Sequence, residues 1–380
     1  MREFFVRLGL VALSVVVAVG AIEILLRLTY DVEDLYAVFQ LKPEIADVGW
    51  QRAFVKSYGP LRGSGALVND LVGYVHDPEL GWDVPGRFRH GAPASVEKPD
   101  GVFRVLAIGD SYTYGSQVKA DQSYSAYLER LLPSSQVLNM GVKAYGIDQA
   151  VLKFLRHGRA YRADLIVFGV FGGDYERTPL SFFRFAKPVF QLGANGELVL
   201  THTPVPTPDE MYQRLTDNLG PLSYFETLAR AAYQTQFAGD EQETYYNKWD
   251  PLIERLFVEL LNAAREDGSR VLFLYIPTGK QLADEATPEN HCCDREHLTN
   301  IWKRLARTAS FDVIDLTEAM PREYGRDRVI REMQFHYRGR PQGHFTPAGN
   351  EGVAKLIVKF LQQQSGIEAP SATANRSRQP

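Results

Sequence analysis

Short apolar runs alternate with amphipathic stretches along the chain from about residue 100 onward. The runs are rich in Val, Ile, Leu and Phe, as expected for parallel strands that are covered on both faces. They predict strands over residues 102–108, 136–140, 165–171, 270–276 and 311–315. The other stretches predict helices over residues 123–132, 148–161, 247–266, 294–308 and 348–362. This order is typical of an α/β protein, a three-layer α/β/α domain around a mainly parallel five-stranded sheet.

The most apolar part of the chain is its N-terminal region. Residues 8–22 carry no charge, and if Glu23 is tolerated near one end the run reaches Leu26 and has 19 residues. At about 1.5 Å per residue the run is roughly 28 Å long, close to the ~30 Å hydrocarbon core of a bilayer. The sequence therefore predicts one transmembrane helix in front of the α/β domain.

Charges beside this apolar run predict its orientation. Arg2 and Arg7 precede it and three acidic residues follow between positions 31 and 34, so the positive-inside rule places the rest of the chain outside the cytosol. Two alternatives remain open. The small residues at 18–20 would suit cleavage by a signal peptidase. The run could also be a buried core helix, although it shows no polar stripe at helical spacing.

Composition divides the chain into four parts. Residues 1–28 form the predicted anchor and 29–99 a membrane-proximal connector, rich in Gly and Pro, in which we expect no long helix. Residues 100–364 form the α/β domain, with an insertion near 175–245. The tail, 365–380, has too few apolar residues to fold and is predicted to be disordered.

The insertion contains a predicted β-hairpin over residues 190–200. Its turn is Asn195-Gly196, a pair that favours a tight hairpin turn. The insertion also carries several aromatic residues: Tyr175, Phe182, Phe183, Phe185 and Phe190. Such rings can stack on the sugars of a substrate or pack in a core, and the sequence leaves both interpretations open.

Charge and hydropathy exclude two classes of protein. The 42 basic and 46 acidic residues give a formal net charge of −4 at pH 7, with no dense basic run. No electrostatic field therefore favours nucleic acid as a partner. The mean hydropathy of −0.23 excludes a bundle of several membrane helices.

The two cysteines, Cys292 and Cys293, are adjacent in the sequence. Neighbouring cysteines close a disulfide only as a strained ring, so no disulfide framework is expected. With His291 and His297 they could form a zinc site, but the usual spacer of about two to four residues between the cysteines is missing. We favour a polar loop with two thiols, and the sequence predicts no metal and no cofactor.

A serine follows the first predicted strand. Gly109-Asp110-Ser111 comes directly after residues 102–108, and ligands of doubly wound sheets bind beyond the carboxyl ends of the strands. The glycine allows a sharp turn, and backbone N–H groups beyond it can point to a developing oxyanion. Alone, such a tripeptide also suits an ordinary polar turn from a strand to a helix.

A histidine precedes the last predicted helix. Thr346 suits the N-cap of that helix and Pro347 its first position, which places His344 in the loop just before it. With an unperturbed pKa of about 6.5, a histidine is a natural base for a serine nucleophile. Ser111 and His344 together therefore indicate nucleophilic catalysis.

These motifs resemble those of the SGNH (GDSL-type) hydrolase family over residues from about 100 to 363. The matching residues are Gly109-Asp110-Ser111, Asn139-Met140-Gly141 with Tyr145-Gly146, and His344 with Phe345-Thr346-Pro347-Ala348-Gly349. The resemblance implies a flavodoxin-like fold with Ser111 as the nucleophile and His344 as the proton shuttle. It also implies that backbone N–H groups of Ser111 and Gly141 stabilise the oxyanion.

Two motifs depart from the family pattern. The third block of the family is Gly-x-Asn-Asp, whose asparagine donates to the oxyanion, whereas this chain has Phe171-Gly-Gly-Asp174. The family also has an aspartate three or two residues before its histidine, where positions 341 and 342 hold proline and glutamine. The N–H of Gly173 could replace the missing donor. Asp174 or a backbone carbonyl could orient His344.

The resemblance and the predicted anchor together imply a membrane-anchored, extracytoplasmic serine ester hydrolase or O-acyl transferase. Its substrates would be acyl or acetyl esters of a cell-envelope glycan or lipid. The alternative is a catalytically degenerate domain that binds an acylated glycan or a partner protein. The missing Asn and Asp favour the alternative, whereas the retained Ser111 and His344 favour the enzyme.

Overall fold

The computed structural model describes residues 1–29, 43–63, 67, 73–88, 95–220, 223–229, 241–283, 293–337 and 340–365. The chain divides into two compact units, one of Met1–Pro85 with Tyr175–Leu256 and one of Gly86–Asp174 with Phe257–Pro380. The first unit therefore combines the predicted anchor with most of the predicted connector and insertion. The predicted domain limits remain a prediction, and the predicted tail beyond Ser365 lies outside the described residues.

The helices and strands are numbered in chain order. The helices are α1 (Arg2–Thr29), α2 (Pro43–Tyr58), α3 (Ser111–Tyr114), α4 (Tyr124–Leu131), α5 (Ile147–Lys153), α6 (Gly172–Arg177), α7 (Pro208–Asn218), α8 (Glu241–Glu266), α9 (Gly279–Ala283), α10 (Cys293–Leu305), α11 (Leu316–Tyr324), α12 (Arg326–Glu332) and α13 (Pro347–Ser365). The strands are β1 (Val75–Asp77), β2 (Gly81–Asp83), β3 (Phe103–Gly109), β4 (Ser135–Asn139), β5 (Leu165–Phe171), β6 (Phe182–Phe183), β7 (Phe185–Ala186), β8 (Val189–Leu192), β9 (Leu198–Thr201), β10 (Arg270–Ile276), β11 (Asp312–Asp315), β12 (Gln334–Tyr337) and β13 (Arg340–Phe345).

A five-stranded sheet of order β11-β10-β5-β3-β4 forms the centre of the second unit. Every neighbouring pair is parallel. In order of appearance this is 2-1-3-4-5, the arrangement of flavodoxin-like folds. The predicted fold class is confirmed. Two of the predicted strands, β5 and β10, have the predicted limits. Strands β3 and β4 are shifted by one residue at both ends, and β11 begins one residue later than predicted.

Both faces of this sheet are covered. Val105 and Ala107 face one side, where Tyr124 of α4 and Val353 and Ile357 of α13 join them in one buried cluster. On the other side, Phe273 of β10 lies 5.0 Å from Phe257 of α8 and 5.4 Å from Trp302 of α10, measured between ring centroids. Successive side chains of a strand point to opposite faces, so the fully apolar strands require helices on both sides.

In the first unit, α1 is the helix that the N-terminal apolar run predicted. Within Glu3–Thr29, the most apolar window of 18 residues has a mean hydropathy of 2.5, and none of that window is buried. This exposure argues against the buried-core alternative. Length and apolarity fit a membrane anchor and equally a cleaved signal sequence, so the choice between them remains a prediction.

Glu23, the acidic residue toward the end of α1, has several hydrogen-bond and ion-pair partners within the protein. Glu23 accepts hydrogen bonds from the N–H groups of Tyr224, at 3.1 Å, and Phe225, at 2.8 Å. Arg27, one turn further along α1, forms a 2.7 Å ion pair with it. Backbone donors and the cation together compensate the charge of a carboxylate at the edge of an apolar helix.

The prediction that no long helix follows the anchor was wrong, because α2 spans 16 residues. Ala46, Ala53, Phe54 and Tyr58 of α2 are buried, at the spacing of one helical face. Asp47 interrupts this apolar face, and the interrupted pattern is why the sequence did not predict the helix. The Asp47 carboxylate accepts hydrogen bonds from the N–H groups of Ser181, at 3.1 Å, and Phe182, at 3.0 Å, and burial raises its pKa.

The predicted hairpin of the insertion is confirmed. Strands β8 and β9 pair antiparallel, and Gly196 in their turn has a φ of +76°, which glycine adopts without strain. Four of the five aromatic residues noted in the insertion are buried, namely Tyr175, Phe182, Phe185 and Phe190. They pack in the interior of their unit, so these four rings are not a platform for sugars.

A buried arginine joins the start of the central sheet to the segment before it. Arg104 of β3 has no exposed surface. Its guanidinium donates to five neutral oxygens, the carbonyls of Ser95, Val96, Glu97 and Tyr161 and the side-chain oxygen of Gln136. Five donors in a fixed plane match this set of acceptors, which an ammonium group cannot do.

We predict that Arg104→Lys lowers the free energy of unfolding by about 2–4 kcal/mol, because an ammonium group reaches fewer of the five oxygens and leaves a buried cation with fewer acceptors. Urea unfolding of the full-length chain in detergent micelles, followed by circular dichroism, measures the change. Arg331→Lys is the matched control, since the Arg331 side chain is 76% exposed. Equal unfolding midpoints for the two variants would contradict the assigned role of Arg104.

Candidate active site

The sharp turn that follows β3 positions Ser111. Gly109 has a φ of +143°, and a Cβ atom there would lie 2.5 Å from both the carbonyl oxygen of Gly169 and Oγ1 of Thr113. Asp110 caps the short helix α3 by accepting the N–H of Tyr112 at 2.8 Å. Ser111 is thus the first residue of a helix at the carboxyl edge of the sheet, as the sequence predicted.

His344 lies at the end of the last hairpin, one residue before β13 ends. The sequence had placed it in a loop, which the pairing of β13 with β12 corrects. The predicted helix start is confirmed, because α13 begins at Pro347 and Thr346 Oγ1 accepts the N–H of Gly349 at 3.2 Å. The hairpin and the cap hold His344 on both sides along the chain.

The structure brings Ser111 and His344 into direct contact. His344 Nε2 and Ser111 Oγ are 2.8 Å apart, a hydrogen-bond distance suited to proton transfer. Oγ also lies 2.9 Å from Oδ2 of Asp110. The ring of Tyr112 packs 4.7 Å from the imidazole, centroid to centroid, and limits the positions that the imidazole can adopt.

The other ring nitrogen of His344 has a partner that the sequence did not predict. Oε1 of Gln117 lies 2.9 Å from Nδ1 and 2.8 Å from the backbone nitrogen of His344. Asp174 had been the candidate for this position. Its buried carboxylate, on α6, accepts the N–H of Phe171, the last residue of β5, at 3.0 Å. The partner that the structure places at Nδ1 is the amide oxygen of Gln117.

One of the predicted oxyanion donors already has an acceptor within the protein. The N–H of Gly141 donates to Oδ1 of Asn139 at 3.0 Å. Glycine is required at position 141 by close packing, since a Cβ atom there would lie 2.4 Å from the backbone nitrogen of Tyr114. Ser111 is the first residue of α3, and Gly173 is the second residue of α6. N–H groups at these positions have no acceptor within their own helix. Their role at an oxyanion remains a prediction.

Ser111 and His344 are called the dyad below. Beneath them, buried hydrogen bonds connect the turn that carries Ser111 with the segment that carries His344. Asn139 Nδ2 donates to the carbonyl of Thr113 at 2.7 Å, and the Tyr124 hydroxyl donates to Thr113 Oγ1 at 3.2 Å. The N–H of Tyr124 donates to Asn350 Oδ1 at 2.9 Å, and Asn350 Nδ2 donates to the carbonyl of Phe345 at 3.0 Å. We call Asn139, Thr113, Tyr124, Asn350 and Phe345 the support chain.

The residues considered for zinc lie only partly within the described chain. Of the four, Cys293 and His297 belong to α10, whereas His291 and Cys292 lie outside the described residues. Within the described part of the chain, no group of three or more His, Cys, Asp or Glu residues could hold a metal ion.

Comparison with known proteins gives distant similarities. No protein-family model matches the chain. One similar protein is glucans biosynthesis protein G of Shewanella frigidimarina (strain NCIMB 400), with 25% identity over 123 residues. The match covers 30% of this chain and 22% of that protein, so the chain spans about a fifth of the relative's length.

Similar solved structures include a putative lipolytic protein of the G-D-S-L family from Desulfitobacterium hafniense DCB-2, with 13% identity, coverage of 68% of this chain and 98% of that chain, and a TM-score of 0.36. An acetyl xylan esterase, AlAXEase, has 14% identity, coverage of 68% and 99%, and a TM-score of 0.40. A lipase/acylhydrolase from Enterococcus faecalis has 14% identity, coverage of 71% and 99%, and a TM-score of 0.38. These descriptions name the family that the motifs resemble, and the function is argued below from the site geometry.

We predict that Gly109→Ala destabilises the chain by at least about 3 kcal/mol, because the new Cβ clashes with backbone and the turn is strained. Gly101→Ala is the matched control. Gly101 also has a positive φ, +72°, but nothing lies within 4 Å of its added Cβ, so only the conformational cost of about 1–2 kcal/mol applies. Urea unfolding of the full-length variants measures both, and equal losses would contradict the steric role of Gly109.

Proposed function

We propose that this chain is a membrane-anchored, extracytoplasmic serine ester hydrolase or O-acyl transferase. The observation that carries the proposal is the 2.8 Å contact between His344 Nε2 and Ser111 Oγ. It stands at the carboxyl edge of a parallel sheet, where α/β proteins bind their ligands. A serine and an imidazole in contact at such an edge form the minimal machinery of acyl transfer.

The first half-reaction attaches the acyl group to Ser111. Oγ attacks the ester carbonyl carbon while His344 Nε2 takes the hydroxyl proton. The carbonyl oxygen becomes a tetrahedral oxyanion, and the N–H groups of Ser111 and Gly173 are the proposed donors to it. As the intermediate collapses, the C–O bond to the leaving alcohol breaks and His344 returns the proton to that alcohol.

The second half-reaction releases the acyl group. His344 Nε2 takes a proton from an incoming water or hydroxyl, whose oxygen attacks the carbonyl carbon of the acyl-serine. The ester bond to Oγ then breaks and His344 protonates Ser111. Water as acceptor gives hydrolysis, and a hydroxyl of another molecule gives transfer of the acyl group.

The proposed substrates are acyl or acetyl esters of a cell-envelope glycan or lipid. The exposed apolar helix α1 motivates the envelope location. The stretch of similarity to glucans biosynthesis protein G supports a glycan as the substrate. Small esters are suitable first substrates because the proposed mechanism makes no demand on the alcohol beyond its departure.

We predict that Ser111→Ala lowers kcat/KM for p-nitrophenyl acetate by at least about 10³-fold, because the attacking oxygen is lost. Release of p-nitrophenolate by the full-length chain in detergent micelles measures the rate. Ser310→Ala, an exposed serine just before β11, is the control and should retain the wild-type rate. Equal rates for wild type and Ser111→Ala would refute the catalytic role of Ser111.

Labelling by a fluorophosphonate separates an enzyme from a binding module. A catalytic serine is phosphonylated, so the wild type should react and the Ser111→Ala and His344→Ala variants should not. Two features motivate the binding alternative: the Gly141 N–H is already occupied, and the partner at His344 Nδ1 is an amide. An unreactive, folded wild type would support that alternative.

We predict that a tag after residue 380 is cleaved by protease added outside the cytoplasmic membrane, whereas a tag before Met1 is cleaved only after permeabilisation. The positive-inside rule gives this direction. An N-terminal tag that remains on the full-length band indicates an uncleaved anchor, and its loss indicates a processed signal sequence. Protection of the C-terminal tag in intact cells would contradict the extracytoplasmic location.

A further inference from the structure

The two hydrogen bonds between Gln117 and His344 determine the orientation of the Gln117 amide. A backbone N–H can only donate, so the Gln117 atom at 2.8 Å from the His344 nitrogen must be the side-chain oxygen and not the NH₂ group. The same oxygen lies 2.9 Å from His344 Nδ1. The same atom of Gln117 therefore contacts both nitrogens of His344. Its contact with the backbone N–H identifies it as the amide oxygen.

This orientation determines where the imidazole carries its proton. An amide oxygen only accepts hydrogen bonds, so Nδ1 must be protonated to bond with it. In the neutral ring Nε2 then holds the free electron pair, and Nε2 is the atom 2.8 Å from Ser111 Oγ. We propose that Gln117 is a positioning residue that holds His344 in the Nδ1–H tautomer, so that Nε2 can accept the proton of Ser111.

The backbone around both residues is arranged for this contact. Gln117 has a φ of +69°, a conformation that is costly for a residue with a side chain. Gly343, beside His344, leaves space for the amide, because a Cβ atom there would lie 3.1 Å from Oε1 of Gln117 and 2.4 Å from Cβ of Phe335. The positive φ of Gln117 and the absence of a side chain at Gly343 thus both permit the contact made by Oε1 of Gln117.

The amide fixes the tautomer without adding charge. When His344 accepts the serine proton it becomes an imidazolium, which a carboxylate at Nδ1 would stabilise and raise in pKa, whereas a neutral oxygen does so much less. Titratable residues also lie on or beside the elements packed against His344: Asp110 before α3, Tyr112 and Tyr114 of α3, His336 of β12, and Glu351, Lys355 and Lys359 of α13. These are the same in every variant at position 117, so differences between those variants isolate the contact at Nδ1.

The inference rests on the proposed function for its kinetic meaning, but its first test does not require activity. The full-length chain is labelled with ¹⁵N at histidine and examined by NMR in detergent micelles at a pH where His344 is neutral. The His344 signals are assigned by their loss in His344→Asn. We expect the Nδ1–H tautomer in the wild type, and a mixture with the Nε2–H form in Gln117→Leu. An Nε2–H wild type would overturn the proposal.

The second test is kinetic and uses the glutamate and glycine variants. Gln117→Gly suits the positive φ and removes the amide, so it should fold while kcat falls at least about 10-fold with KM nearly unchanged. Gln117→Glu restores an acceptor for both N–H groups and adds a charge. It should retain more activity than the glycine variant and move the acid limb of the pH profile of kcat/KM to higher pH by roughly one unit.

A glutamine in the same loop supplies the matched control. Gln122 also accepts a backbone N–H, that of Lys119 at 3.2 Å, in an exposed position. Gln122→Gly and Gln122→Glu should leave the His344 tautomer and the pH profile unchanged. If the Gln117 variants lose activity equally without a shift of the acid limb, the role of Gln117 is only structural. If the wild type has no Ser111-dependent turnover, the proposed function fails while the NMR result still decides the tautomer.

Discussion

The support chain of buried amides and hydroxyls is the constraint on which the site depends. Ser111 and His344 are 233 residues apart in the sequence, and no local structure could hold their reacting atoms within 3 Å. Asn139 fixes α3 from below through the carbonyl of Thr113, and Asn350 fixes the histidine segment to the start of α4. Each unmade bond would leave a buried polar group without a partner. The dyad geometry is therefore enforced by the folding energy of the core beneath it.

The sequence predicted the scaffold well because apolar pattern and burial are linked directly. Strands β5 and β10 are buried over nearly their whole length, so their apolar runs marked both limits. The helix start at Pro347 and the hairpin turn at Gly196 were predictable because each depends on a residue with restricted or unusual backbone freedom. Ser111 and His344 could be selected as candidates for the same reason, since each stands beside such a boundary.

The details of the site could not be predicted, because they depend on contacts between distant parts of the chain. Gln117 meets a residue 227 positions away, and nothing around it in the sequence distinguishes it from Gln122. Gly141 was assigned an open N–H because its neighbours matched a motif, but a side chain two residues earlier occupies that donor. Helix α2 was missed because the partly buried Asp47 interrupts its apolar face, and the N–H groups that bond to Asp47 come from a different segment.

The chemical nature of the support chain has a consequence for how the site responds to acidity. Its links are amides, hydroxyls and carbonyls, and burial raises the pKa of the Tyr124 hydroxyl above its usual range. These five residues therefore keep the same charge in acid, neutral and mildly alkaline conditions. A change of pH therefore alters the protonation of groups outside the support chain and not the bonds within it. As long as the chain stays folded, a loss of function on mild acidification would be reversible, because none of the residues that hold the dyad takes up a proton.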